Sequence, residues 1–364
     1  MRKLLTLVAM VSLLGACASA PRDDDDDKMT AAPGEYTAKP GSSPVGVIPA
    51  GSLRDTQRNK DVGLAIDYPT KGTGHPLIIF SHGFGGSARG YVGLSSWWAS
   101  HGYVVIRPVH ADSGKKPDPE KPDDAAWATQ TQSDWTNRVA DIRFILDSLP
   151  ALEKEYPELV GKIDATRVGV SGHSYGALTA LLLGGTRTFA GSAATRYADP
   201  RVKAIVAMSP QGVSDERGLT RDSWAELRLP VLFMTGTADR GITNEENMAW
   251  RKQAFDFSPV GDKWFVSIEG ATNATFRGGS FDPSAIRMEP RDVPVTTRDG
   301  QGRIVQTPAS QRSAIPYGER DLFLFGRVEA ISLAFWDTYL KSETKGREFL
   351  SKLAERGGAV VEMK

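Results

Sequence analysis

From about residue 60 the chain alternates short apolar runs with longer stretches in which apolar residues recur at helical spacing. Leu77-Ile78-Ile79-Phe80, Tyr103-Val104-Val105-Ile106, Val168-Gly169-Val170, Ala204-Ile205-Val206-Ala207, Val231-Leu232-Phe233-Met234 and Phe265-Val266-Ser267-Ile268 are too short for buried helices and rich in β-branched residues. They predict strands. Between them, Trp135 to Leu149 brings Val139, Ile142, Leu146 and Leu149 onto one helical stripe. Ala177 to Leu183 predicts a small apolar helix suited to burial, and Val328 to Leu340 another amphipathic one. Unbroken apolar strands alternating with helices predict an α/β fold, a mostly parallel central sheet with helices on both faces. No internal repeat is present.

This pattern places a single α/β domain over residues 56–345, with two interruptions. Residues 113–126 are dense in Pro, Lys and Asp, and residues 277–316 are polar with several Pro and Gly. Such insertions predict surface loops or caps, and the second is long enough to shape a substrate entrance. Residues 346–364 read as a C-terminal tail. Ahead of the domain, Arg2 and Lys3 precede an apolar run from Leu4 to Leu14, too short to span a bilayer permanently. Leu14-Gly15-Ala16-Cys17 looks like a bacterial lipoprotein lipobox, in which cleavage before Cys17 frees its thiol to carry a diacylglycerol. Cleavage after Ala20 is the alternative, but it would leave Pro21 first, where a signal peptidase is hindered. The expectation is an exported protein with residues 1–20 as leader, held at the bacterial cell envelope through Cys17, or secreted or periplasmic if that thiol stays bare. Residues 21–55 read as a flexible tether, opened by the self-repelling block Asp23 to Lys28. Asp24 to Lys28 also resemble an enterokinase cleavage sequence, so a fusion junction before Met29 is the alternative to a native tether.

Composition removes several function classes. The 364 residues hold 44 Lys+Arg against 44 Asp+Glu, so the chain lacks the cation surplus by which a nucleic-acid binder displaces counterions. A lone cysteine rules out a disulfide framework. No Cys-x-x-Cys or His-Glu-x-x-His occurs, and the acidic block lacks the spacing and glycine of a calcium loop. Gly83-Phe84-Gly85-Gly86 is not a dinucleotide-binding register. No metal or cofactor is expected. The eight tryptophans, Trp97, Trp98, Trp127 and Trp135 among them, are expected chiefly in the core.

The candidate chemistry lies at Gly172-His173-Ser174-Tyr175-Gly176. A buried strand runs into this G-x-S-x-G and an apolar helix runs out, the context of a nucleophile elbow. The turn holds the serine in strained geometry, and side chains at either glycine would meet the neighbouring strand or helix. Ser174 Oγ would then stand at the carboxyl end of the sheet. Attack on an ester generates a tetrahedral oxyanion, which two amides must already face. Tyr175, after the nucleophile, supplies one; the loop His82-Gly83-Phe84-Gly85-Gly86 supplies the other, assigned to Phe84. Asp239 follows a buried strand and a Gly236-Thr237 turn, in the order serine then acid, and would orient an imidazole. Its competing role is a cap for a helix near Thr243 and Asn244.

Phe80 to Gly86, Arg138-Val139-Ala140-Asp141-Ile142, Gly169 to Gly176 and Met234 to Asp239 together resemble the α/β-hydrolases. More narrowly they resemble the branch of plasma-type platelet-activating-factor acetylhydrolases and dienelactone-hydrolase-like bacterial esterases. The resemblance spans about residues 60–340. Dienelactone hydrolases use a cysteine nucleophile, so Ser174 points to the esterase side. The resemblance implies a small-molecule or lipid-like ester as substrate, and a histidine in the segment that here reads Gly270-Ala271-Thr272-Asn273-Ala274-Thr275-Phe276.

Asn273 stands in that histidine's place. The five histidines, His75, His82, His101, His110 and His173, all precede Asp239. A carboxamide has no useful basicity near neutral pH, and loss of the triad histidine in a serine hydrolase costs about 10⁶-fold in turnover. Of the others, His110 follows a strand and is the one to examine as a substitute base, His82 is expected to brace the oxyanion loop, and His173 to point away from Ser174. Two readings stand: a serine esterase strongly impaired at position 273, and a ligand-binding or scaffolding protein that has abandoned turnover.

Overall fold

The computed structural model describes residues 36–37, 39–114, 132–241, 246–277, 295–298, 304–307 and 319–364. The chain divides into Met1–Thr30 and Ala31–Lys364, and all described residues belong to the second unit. The expected leader, Cys17, the acidic block, residues 115–131, which take in most of the first insertion, and most of the second lie outside the described residues.

A nine-stranded sheet forms the frame. Its strands are β1 (Val45–Asp55), β2 (Lys60–Pro69), β3 (His75–Ser81), β4 (Val104–Pro108), β5 (Ile163–His173), β8 (Val202–Met208), β9 (Val231–Gly236), β10 (Lys263–Ile268) and β13 (Ala359–Met363). Two small hairpins lie apart from it, β6 (Arg187–Ala190) with β7 (Ala193–Arg196) and β11 (Val295–Arg298) with β12 (Ile304–Thr307). The order is β1-β2-β4-β3-β5-β8-β9-β10-β13. Strands β4, β3, β5, β8, β9 and β10 run parallel, whereas β1, β2 and β13 pair antiparallel at the two sides. Every apolar run singled out in the sequence is one of the six parallel strands.

The runs are continuous because alternate residues feed two cores. Leu77 and Ile79, Val104 and Ile106, and Val231 and Phe233 enter one cluster. Ile78 and Phe80, Tyr103 and Val105, and Leu232 and Met234 enter the other. The first is covered by α2 (Gln132–Asp147), α3 (Leu149–Glu155), α4 (Tyr175–Gly184) and α5 (Met248–Asp256). The second is covered by α1 (Val92–Ser100), α6 (Glu319–Leu340) and α7 (Thr344–Ser351). Trp97, Trp98 and Trp135 are buried here, in keeping with core roles. The fold is the expected mostly parallel sheet with helices on both faces.

Both flanks of the predicted domain need correction. Part of the expected tether, residues 45–55, is β1, paired along β2 with an irregularity between Ile48 and Gly51. Pro49 sits at that bulge on an edge strand, where a missing N–H is tolerated, so a stretch of Gly, Pro and Ser resembles a linker while still pairing. The expected tail carries most of α7, whose Phe349 and Leu350 are buried, and ends in β13. That edge strand is short and largely exposed, which hides it from a search for apolar runs.

A chain ending at Arg356 is expected to lose the backbone bonds of β13, at about 0.5–1.5 kcal/mol each, and to expose the edge of β10. Urea denaturation checks this: the midpoint should fall and aggregation rise, and an unchanged midpoint would make β13 dispensable.

Candidate active site

The last residue of β5 is His173 and α4 begins at Tyr175, so Ser174 alone makes the turn between them. Its φ of 52° and ψ of −117° lie where a side chain costs about 1–3 kcal/mol. The turn is locked on both sides. Ser174 N donates to the Met208 carbonyl at 2.8 Å, and its own carbonyl accepts from Ala177 N at 2.8 Å to start the helix. A Cβ on Gly172 would stand 2.1 Å from the Gly176 carbonyl oxygen, and one on Gly176 would stand 1.9 Å from that of Ser81. Both glycines are therefore required by close approach. The hydroxyl of Ser174 faces a cavity of about 820 Å³ and makes no hydrogen bond to any described residue.

The Ser81 carbonyl that Gly176 approaches lies where β3 opens into the glycine-rich loop. Within that loop Gly83 N donates to Tyr91 Oη at 3.2 Å, Gly85 N to Asp112 Oδ2 at 3.1 Å, and Gly86 N to the Gly83 carbonyl at 3.0 Å. The Phe84 amide has no acceptor among the described residues, and neither has that of Tyr175. The Phe84 and Tyr175 rings meet edge to face at 6.1 Å. The two amides predicted to hold an oxyanion are among those left without an acceptor by the described residues.

Arg138 of α2 straps this loop. It grips Asp112 with Nε and Nη2 at 2.9 and 2.6 Å and donates through Nη1 to the His82 carbonyl at 2.6 Å and Ser81 Oγ at 3.2 Å. Burial alone would raise the Asp112 carboxyl, but its bonds and charge contact with Arg138 hold it below the ordinary carboxylate range. His82 accepts this brace as expected, with Nδ1 2.7 Å from the Gly83 carbonyl and Nε2 2.8 Å from Ser113 Oγ. His110 lies buried between Asp141 and Ser81, 3.0 Å from Oδ2 and 3.0 Å from Oγ. It is not a cavity residue and does not reach Ser174. His173 turns away from Ser174, its Nδ1 2.8 Å from Tyr91 Oη and its ring stacked on Phe276.

Asp239 is fully buried three residues beyond β9. Its Oδ2 accepts from Ser209 Oγ at 2.6 Å and Thr235 Oγ1 at 3.0 Å, and Oδ1 lies 3.0 Å from Arg251 Nε. Thr243 and Asn244 lie outside the described residues; among those described Asp239 caps no helix, and α5 is capped by Asn247, whose side chain accepts from Trp250 N at 3.2 Å. The Asp239 turn is laced to the segment leading to Asn273 by Ala238 N to the Ala271 carbonyl at 3.1 Å and Gly270 N to Thr237 Oγ1 at 2.9 Å. Asn273 opens a 3-10 turn, Asn273–Arg277, and lines the same cavity as Ser174, Phe84 and Arg251. Elbow, oxyanion loop, buried acid and residue 273 thus converge on the carboxyl edge of the sheet. Among the described residues no histidine bonds to Ser174.

The sequence matches the profile of the Alpha/beta hydrolase family over residues 78–327, a span running from β3 into α6 and including all these elements. The chain belongs to the alpha/beta hydrolase family. This member carries features that sequence reasoning did not assign. Arg138 and Asp141 fall in a string singled out only for resemblance, and Asp112, Arg251 and Arg240 lie on separate elements that only folding brings together. No spacing links them.

Three histidines of this hydrolase are buried and held neutral. Burial is the main cause, followed by the charge of Arg138 for His82 and His110 and of Arg277 and Arg251 for His173; His110 is pushed down to about 4. An unfolded imidazole takes up a proton near pH 6.5 while the folded one does not, so stability is complete above that pH and falls as pH drops toward 4. The slope is about 1.4 kcal/mol per pH unit for each such histidine. Urea denaturation at pH 7.5 and 5.5 should show a loss of at least that size; a flat profile would contradict the burial of neutral rings. Gly176→Ala is a second test, expected to yield little soluble folded protein, and wild-type stability in that variant would contradict the close approach.

Proposed function

We propose that this hydrolase acts on carboxylic esters through an acyl-serine route, with Asn273 in the position where the route needs a base. The single observation that carries the reading is the free Ser174 hydroxyl sharing one cavity with Phe84, whose amide is unengaged, next to the equally unengaged amide of Tyr175. Ser174 Oγ would attack the ester carbon, forming a C–O bond as the carbonyl electrons move onto oxygen. The Phe84 and Tyr175 N–H groups would receive that oxyanion. Expulsion of the alcohol leaves an acyl-serine, which water then cleaves. Each step needs a group that removes a proton from the attacking oxygen and returns it to the departing one. Asp239 would orient such a base, and the lacing of its turn to the 273 segment supports that assignment. The carboxamide of Asn273 cannot take the proton, so turnover by the chain as it stands is strongly impaired.

The strings at residues 80–86, 138–142, 169–176 and 234–239 support a place near the platelet-activating-factor acetylhydrolase and dienelactone-hydrolase-like esterases, and with it a small or lipid-like ester. Leu14 to Cys17 supports attachment to the cell envelope through a lipidated Cys17. No described helix is long and apolar enough to cross a membrane.

Asn273→His is expected to raise kcat/KM on short 4-nitrophenyl esters by several orders of magnitude, and Ser174→Ala in that background to abolish the gain. A histidine variant as inert as its parent on a broad acyl panel would refute the assignment of position 273. Retention of ester ligands without turnover in both proteins would favour a binding role instead.

A further inference from the structure

Among the described residues, the cavity that contains Ser174 is lined by more positive charge than its own carboxylates neutralise. Four charged residues among those described line its wall: Arg240, Glu246, Arg251 and Arg277. Arg251 is paired with Asp239 at 3.0 Å, and Glu246 with Arg217 at 2.9 Å. Arg240 and Arg277 have no carboxylate partner among the described residues, and both are exposed. Their placement is set by the catalytic loops. Arg240 follows Asp239 and is tied back by Nη1 to the Asp239 carbonyl at 2.9 Å. Arg277 closes the 3-10 turn that Asn273 opens. His173, buried and neutral in the same wall, adds no charge of its own. The amino end of α4 adds further positive potential at Ser174.

A neutral ester offers two such guanidinium groups only uncharged acceptors, whereas an ionised carboxylate or phosphate accepts from their planar forks with opposite charge. We propose that Arg240 and Arg277 form an oxyanion-group subsite, so that the cavity selects esters carrying a second, negatively charged carboxylate or phosphate over neutral esters of the same length. This inference rests on the ester-hydrolase reading for its role in turnover, but binding tests it separately.

Binding is measured first on the unaltered chain by calorimetry, with glutaranilic acid, neutral valeranilide and phenyl phosphate. At low salt at least one anion should bind about tenfold or more tightly than valeranilide, the scale of a charge-assisted contact. The Arg240→Gln/Arg277→Gln double variant should lose that advantage, and raised salt should shrink it. Comparing the two anions tells which oxyanion the subsite prefers. Turnover is then measured in the Asn273→His background with mono-4-nitrophenyl glutarate and 4-nitrophenyl valerate. The kcat/KM ratio should favour the glutarate about tenfold and fall toward one in the double arginine variant. Equal binding of all three probes, or an anion preference that survives loss of both arginines, overturns the subsite. Arginine-dependent anion binding without hydrolysis of either ester would leave the subsite standing and overturn the hydrolase reading.

Discussion

Gly176 packs against the Ser81 carbonyl so closely that even a methyl group would collide with it. This contact sets the position of the elbow and of the loop beside it. Gly176 lies in the first turn of α4, so its approach fixes how deeply that helix sits between the strands and where the bent Ser174 projects. Ser81 ends β3, so the same contact fixes where the loop carrying Phe84 begins. Ser174 and Phe84, some 90 residues apart in sequence, are held in one register by the absence of one side chain.

Around that contact the polar groups fall into two classes. Those that shape the loop are bound on every side: Arg138 serves Asp112, Ser81 and His82, while Asp141 takes Arg58, Lys60 and His110 together. The Asp141, His110 and Ser81 sequence has the spacing of a proton relay, yet it is buried away from the cavity and acts as a brace. Removing one member of such a cluster would leave buried charge unpaired. The groups in and beside the cavity are the opposite case. Ser174 Oγ and the Phe84 and Tyr175 amides have no described partner, an arrangement that costs stability and fits groups held ready for a ligand.

Most of the framework was legible because its signals are local. Each parallel strand is an apolar run long enough to be seen alone, and G-x-S-x-G between a strand and an apolar helix carries its own geometry. Phe84 could be picked from its loop by position, and the structure engages the amides of Gly83, Gly85 and Gly86 while sparing that one. The edge strands β1 and β13 escaped notice because pairing on one side asks little of side chains, so Gly, Pro and Glu are tolerated there. Arg138, Asp112 and Arg251 escaped for another reason: a buried ion pair leaves no periodicity, and its partners are recognised only once elements distant in sequence are side by side. The absence of any histidine after Asp239 was readable in sequence, and the proposal for position 273 starts from it.

The central claim is that Ser174 is shaped for acyl attack but lacks its proton acceptor. Fluorophosphonate labelling, followed by intact mass and peptide mapping, tests this without reference to any natural substrate. The account predicts slow or undetectable labelling of the parent chain, and labelling at Ser174 faster by orders of magnitude in Asn273→His. Rapid labelling of the parent, or no acceleration in the histidine variant, would contradict it.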